Sequence, residues 1–267
     1  MSRINQVFAQ LKQLGRPGLI PFITAGDPDL DTSVKLVLSL AAAGADVVEL
    51  GFPFSDPSAD GPTIQAASER ALSAGTSLAG VLSLVAEVRK TCQIPIVLMG
   101  YYNPVYRYGV EQFAIDAAAS GVDGLLLVDL PPEEADEVLP SLQKTGIDMI
   151  TLLAPTTPPE RMKHLAELGS GYLYYVSMTG VTGSRRLDPE DIRQAVTELR
   201  KLSPIPVGVG FGITTPEDAA TVGSYADAVV VGSALVKIIA EYGQSSELQQ
   251  RVSVFVGELR QSLDNCK

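Results

Sequence analysis

Val47-Val48-Glu49-Leu50-Gly51-Phe52-Pro53-Phe54-Ser55-Asp56-Pro57-Ser58-Ala59-Asp60-Gly61-Pro62 reads as a buried strand that runs into a proline-stiffened loop. Val47, Val48 and Leu50 supply the apolar run, and Pro53, Pro57 and Pro62 prevent the ladder from continuing through the loop. Side chains alternate along a strand, so Val47, Glu49 and Gly51 share one face while Val48 and Leu50 share the other. Leu125-Leu126-Leu127-Val128 and Ala228-Val229-Val230-Val231 are likewise apolar on both faces, as a parallel sheet covered by helices requires.

Upstream, Ile4, Val7, Phe8 and Leu11 stand at helical spacing, and the run from Gly18 to Gly26 is a strand ending at the Asp27-Pro28 turn. Asp31 or Thr32 is expected to cap the next helix and Gly44 to end it. Downstream, helices are expected over 63–73, 78–90, 110–120, 133–144, 158–168, 189–201, 216–222 and 247–263, and strands over 94–100, 122–128, 147–153, 171–176, 205–210 and 226–232. That makes eight strands alternating with helices. Gly44-Ala45-Asp46-Val47-Val48, Gly121-Val122-Asp123-Gly124-Leu125 and Tyr225-Ala226-Asp227-Ala228-Val229 echo one another, each bringing an Asp into a strand. Repeated βα units build a (β/α)8 TIM barrel, here with an extra N-terminal helix and a single domain over residues 1–267. The entry aspartates read as helix-to-strand turn residues at the end of the strands away from catalysis.

Composition narrows the function. Of 267 residues, 46% are hydrophobic and 19% charged, ample for a globular core, and no run is long enough to span a bilayer. A net charge of −11 with no basic patch opposes binding to nucleic acid or anionic lipid. Cys92 and Cys266 lack metal-ligand spacing, so reduced thiols in the cytoplasm are the expectation, the stroma of a plastid being compatible as well. The lone histidine, His164, falls in a solvated helix. A zinc aldolase and a Ser-His-Asp hydrolase both need more histidine than this.

Reacting groups of such a barrel sit where strands pass into βα loops, which selects Glu49, Asp60, Tyr101, Asp129, Tyr174, Thr182, Phe211 and Ser233. Strand parity points Glu49 into the lumen, where burial raises a carboxylate's pKa toward neutrality and suits it to pass a proton in both directions. The bland alternative is a structural acid satisfied by backbone donors. Asp60 stands in a stretch of turn chemistry, and the residues alone leave a turn role and a catalytic one equally open. The glycines of Gly208-Val209-Gly210-Phe211-Gly212 and the helix start after Gly232-Ser233 suit a phosphate, although tight turns also explain glycines. Residues 177–188, with Gly180, Gly183, Arg185 and Arg186, have the composition of a mobile lid. Phe22, Tyr101, Tyr102, Tyr174 and Phe211, all at strand ends, add flat apolar surface, so an acid, a phosphate site and aromatic walls suit a flat ring linked to a phosphate.

The run Glu49–Gln65 resembles the signature of the tryptophan synthase alpha chain family. So do Pro21-Phe22-Ile23-Thr24-Ala25-Gly26-Asp27-Pro28, Tyr101-Tyr102-Asn103-Pro104, Asp129-Leu130-Pro131-Pro132-Glu133-Glu134, Gly180-Val181-Thr182-Gly183 and Gly210-Phe211-Gly212-Ile213. The resemblance implies retro-aldol cleavage of indole-3-glycerol phosphate to indole and glyceraldehyde 3-phosphate with no cofactor in this chain. It implies that Glu49 handles the protons and Asp60 accepts from the indole N–H. Phe22, Tyr101, Leu126, Tyr174, Thr182 and Phe211 would line the indole pocket, and Gly183, Gly212, Gly232 and Ser233 would hold the phosphate. A beta chain carrying pyridoxal phosphate would be the partner in an α2β2 heterotetramer, with Pro53, Asp56 and Asn103 near the interface. Other readings kept open are a stand-alone indole-releasing lyase, a phosphosugar isomerase or synthase, and a non-catalytic binder of a phosphorylated ligand.

Overall fold

The computed structural model describes residues 1–176, 178–179, 185–186, 189–210 and 212–266. Its strands are β1 (Gly18–Thr24), β2 (Val48–Gly51), β3 (Ile96–Gly100), β4 (Gly124–Leu127), β5 (Asp148–Met149), β6 (Thr151–Leu153), β7 (Leu173–Val176), β8 (Met178–Thr179), β9 (Arg185–Arg186), β10 (Val207–Gly210) and β11 (Ala228–Val231). The helices are α1 (Arg3–Leu14), α2 (Leu30–Ala42), α3 (Pro62–Ser73), α4 (Leu78–Arg89), α5 (Tyr102–Tyr108), α6 (Val110–Ser120), α7 (Leu139–Thr145), α8 (Pro159–Leu168), α9 (Pro189–Leu202), α10 (Pro216–Gly223), α11 (Ser233–Tyr242) and α12 (Leu248–Asp264).

One sheet runs β5-β4-β3-β2-β1-β11-β10-β7-β6, and every neighbouring pair in it is parallel. Its two edges, β5 and β6, are separated by Ile150 alone. The expected strand over 147–153 is therefore one segment in two pieces, the first pairing with β4 and the second with β7, and the sheet closes on itself as a TIM barrel.

Strand parity holds at the opening stretch. Val47 faces inward with Ile20, Phe22, Val97, Leu126 and Tyr174, while Val48 and Leu50 pack outward against the helices. Helix α1 lies across the lower mouth, where Ile4, Phe8 and Leu11 join the inner cluster and Phe8 meets the ring of Tyr172 at 5.7 Å. This is the extra N-terminal helix, serving as a plug.

Several strands begin two or more residues later than periodicity predicts, and the entry aspartates show why. Asp46 accepts from Leu19 N–H at 2.8 Å, Asp123 from Ile96 N–H at 2.8 Å, and Asp227 from Val207 N–H at 2.9 Å. Each also pairs with arginine: Asp46 with Arg260 and Arg16, Asp123 with Arg89 and Arg3, Asp227 with Arg200. They clasp neighbouring strands at the lower rim, a larger role than turn chemistry. Replacing Asp123 with alanine would strand the buried Arg89 guanidinium and the Ile96 N–H, so a loss of about 3–5 kcal/mol in urea unfolding is expected. A loss under about 1 kcal/mol would mean that water replaces the carboxylate.

Other departures are local. Asp29, not Asp31 or Thr32, caps α2 through Thr32 N–H at 2.7 Å. The expected helix over 133–144 is broken into a 3-10 turn at Pro132–Glu137 and then α7, because Pro140 in the first turn of α7 has no N–H to carry a helix through. Helix α5 was hidden by Pro104, which falls in its first turn, where proline is tolerated. The helix expected to start after Gly232-Ser233 spans ten residues. Within the stretch read as a lid, β8 and β9 pair antiparallel, while Gly180 and Gly183 lie outside the described residues.

Candidate active site

Glu49 is in β2, two residues before Gly51, the strand's last inward position, and is completely buried. Tyr172 donates its hydroxyl to Glu49 Oε1 at 2.5 Å, and Oε2 has no hydrogen-bond partner among the described residues. Burial pushes the carboxyl up to about 8 against the opposing effect of the Tyr172 bond. Glu49 is therefore mostly a neutral acid at pH 7. A buried carboxyl with one oxygen unsatisfied is costly, and the backbone-satisfied structural acid that the sequence left open is not what the fold contains.

Asp60 closes the loop after β2. Its carboxylate accepts from the Tyr101 hydroxyl at 3.1 Å, and that hydroxyl in turn accepts from Ala59 N–H at 2.9 Å. Gln65, in α3, donates to the Asp60 backbone carbonyl at 2.9 Å, so the acid is held from both sides. Burial raises Asp60 to about 6, with the Tyr101 bond pulling the other way. Tyr174 is close enough to both acids that its own phenol is pushed upward, first by burial and then by the charges of Glu49 and Asp60.

Asp60 borders a small cavity of about 20 Å3 at the upper mouth, walled with it by Phe22, Thr24, Ile64, Met99, Tyr101 and Val128. Two glycines make room for its rings. A Cβ at Gly51 would press on the Phe22 ring at 2.6 Å, and one at Gly210 would collide with the Tyr174 hydroxyl. Leu126, fully buried, packs with Phe22 and Tyr174 in the same inner cluster.

Toward the other side of the mouth, β10 and β11 are neighbours, so Gly212 and the Gly232-Ser233 pair leave the barrel side by side. Gly212 has φ +78°, a left-handed conformation that favours glycine. Gly232 caps α11 with no side chain over the helix start, leaving the first N–H groups of a ten-residue helix facing the mouth. Thr182, Gly183 and Phe211 lie outside the described residues. Of the three residues expected at a partner interface, Asp56 and Asn103 are exposed, whereas Pro53 is buried within the chain.

Tyr172 and Thr24 escaped sequence reasoning. Tyr172 precedes β7 on the same face as Tyr174, and that spacing was the available signal. Thr24 shares the inward face of β1 with Ile20 and Phe22, and parity could have found it too. Lysines Lys12, Lys35, Lys90, Lys144, Lys163, Lys201 and Lys237 all lie on helices or their caps, away from the lumen. Among the described residues no three His, Cys, Asp or Glu side chains gather as a metal site.

Comparison with known proteins agrees with the geometry. A family model described as tryptophan synthase alpha chain matches residues 8–264. The tryptophan synthase alpha chain of Geobacter sp. (strain M21) is 54% identical over 263 residues, 98% of each chain. The crystal structure of tryptophan synthase subunit alpha from Legionella pneumophila str. Paris superposes with a TM-score of 0.92 at 43% identity, covering 99% of both chains. A chain from a structure of the tryptophan synthase α2β2 complex of the hyperthermophile Pyrococcus furiosus gives 0.85 at 43% identity, covering 91% of this chain and 98% of that one. Glu49 buried in the lumen, Asp60 half-buried at the pocket wall and these matches along nearly the whole sequence lead to one conclusion: the chain belongs to the tryptophan synthase alpha chain family.

Proposed function

We propose that the chain is a carbon–carbon lyase that cleaves indole-3-glycerol phosphate to indole and glyceraldehyde 3-phosphate in tryptophan biosynthesis. It acts as the alpha subunit beside a beta chain, as one domain over residues 1–267, in the cytoplasm. The observation that carries the mechanism is the buried Glu49 carboxyl, neutral near pH 7, with one oxygen left without a partner among the described residues.

In this mechanism Glu49 gives its proton to indole C3, which breaks the aromaticity of the pyrrole ring and leaves an iminium with positive charge at the ring nitrogen. The Asp60 carboxylate accepts a hydrogen bond from that N–H and stabilises the charge. Glu49, now a carboxylate, takes the proton of the glycerol hydroxyl on the carbon bonded to C3. The bond between that carbon and C3 breaks, its electron pair returns to the ring, and the aldehyde of glyceraldehyde 3-phosphate forms. One proton has moved from the hydroxyl to C3, and Glu49 ends protonated as it began. Phe22, Leu126, Tyr174 and Phe211 flank the ring with Tyr101 and Thr182, while Gly183, Gly212, Gly232 and Ser233 hold the phosphate. No step calls on a cofactor in this chain, and pyridoxal phosphate belongs to the beta chain.

Incubating the purified chain with indole-3-glycerol phosphate, with and without a beta chain, tests this directly. Indole is expected in both, and faster with the partner; no indole in either would overturn the assignment. The exposed Asp56 and Asn103 are proposed for the docking face, with the buried Pro53 in the same loop as Asp56. An Asp56→Ala variant is expected to weaken the partner's stimulation about tenfold at limiting beta chain while leaving the activity of the isolated chain within about twofold. Unchanged titration of the beta chain would place the interface elsewhere.

A further inference from the structure

We propose that the Thr24 hydroxyl is a specificity contact for the substrate's glycerol chain, a reading that rests on the function proposed above. Thr24 ends β1, is only 2% exposed, and its Oγ1 has no hydrogen-bond partner among the described residues. A buried hydroxyl left unpaired costs roughly 1–3 kcal/mol, so such groups are rare unless something outside the fold completes them. Thr24 is also a wall of the pocket that holds Asp60, on the inward face that carries Phe22 one step below it.

Strand order says which part of a ligand it meets. β1 lies between β2, which carries Glu49, and β11, which leads to Gly232 and Ser233. A Cβ at Gly232 would stand 3.5 Å from the Phe22 Cβ, so the end of β11 abuts the inward side of β1. A chain that joins a ring at Glu49 to a phosphate at Gly232 must cross the end of β1. There the glycerol hydroxyls pass an unsatisfied Oγ1 that can donate or accept. Thr76 is a built-in contrast: its Oγ1 is also buried without a partner among the described residues, but it packs beneath Gly26 and is not part of the pocket wall.

The test separates this contact from turnover. On a Glu49→Gln background, which binds without reacting, indole-3-glycerol phosphate and an indole carrying a propyl phosphate chain without hydroxyls are titrated by calorimetry. Thr24→Val is expected to weaken the hydroxylated ligand about tenfold, the equivalent of one hydrogen bond, and to leave the deoxy analogue within about twofold. Thr24→Ser should restore most of the loss, and Thr76→Val should bind both ligands as the parent does. The urea midpoint of Thr24→Val should stay equal to or rise above that of the parent, because the fold loses an unsatisfied group. Equal affinity of Thr24→Val and parent for the hydroxylated ligand, or equal weakening for both ligands, would overturn the proposal. If the ligands discriminate as expected while native chain makes no indole, the lyase reading fails and the Thr24 contact stands.

Discussion

Glu49→Gln is expected to lose about 10³-fold or more in indole formation and yet to be more stable than the native chain at pH 8. The two effects share one cause. The amide is nearly the same shape and can still accept the Tyr172 hydroxyl, but it has no proton to deliver to C3 and cannot collect one from the glycerol hydroxyl. On the stability side, the folded-state pKa of Glu49 is raised from 4.5 to about 8. Between those values the folded chain keeps a proton at Glu49 that the unfolded chain has released, so the contribution of Glu49 to stability is fully present below pH 4.5 and is lost as pH rises through 8. The loss approaches ~1.4 kcal/mol per pH unit within that window. Glutamine removes the dependence. Urea unfolding at pH 5 and at pH 8 should therefore show the variant gaining on the native chain by a few kcal/mol on going from pH 5 to pH 8. A variant that stayed active, or one whose stability advantage failed to grow with pH, would contradict the assignment of Glu49 as a buried neutral acid.

Asp60→Asn should cost roughly 10²-fold in kcat/KM, the scale for removing one group that stabilises developing charge. Its pH profile says more than its rate. The proposed mechanism needs Asp60, raised to about 6, charged and Glu49, raised to about 8, protonated. Native kcat/KM should rise through an apparent pKa near 6 and fall through one near 8. The residual activity of Asp60→Asn should lose the acid limb and keep the alkaline one. An acid limb that survived would mean that another group must ionise, and Asp60 would be a loop residue after all.

The acids differ in how visible they were. Glu49 was legible because a strand has a strict two-residue period: a single carboxylate between valine and leucine on a strand covered by helices can only face the lumen. Asp60 had no such constraint. Its loop, Ser55 to Pro62, is built of residues that make turns for their own sake, and what separates Asp60 from Asp56 is contact with Tyr101 and Gln65, which come from other elements. Helix α5 was missed for a related reason, since Pro104 reads as a breaker until the helix start is known to be Tyr102. The entry aspartates were seen and undervalued: the arginines that pair with them are drawn from α1, α4, α9, α12 and the residues just after α1, a convergence that only closure of the barrel creates. The strand-helix alternation itself was plain throughout, because both faces of each strand had to be apolar.

Helix α1, set across the lower mouth, has a consequence for traffic. With Ile4, Phe8 and Leu11 filling that end, the lower mouth is blocked, and traffic is left to the upper one, where the loop that carries Asp60 and the start of α11 lie. In the mechanism proposed above, indole forms against Glu49, and the phosphate product lies nearer the start of α11. A partner seated over Asp56 and Asn103, as proposed above, would then receive indole on the side of the barrel from which it leaves.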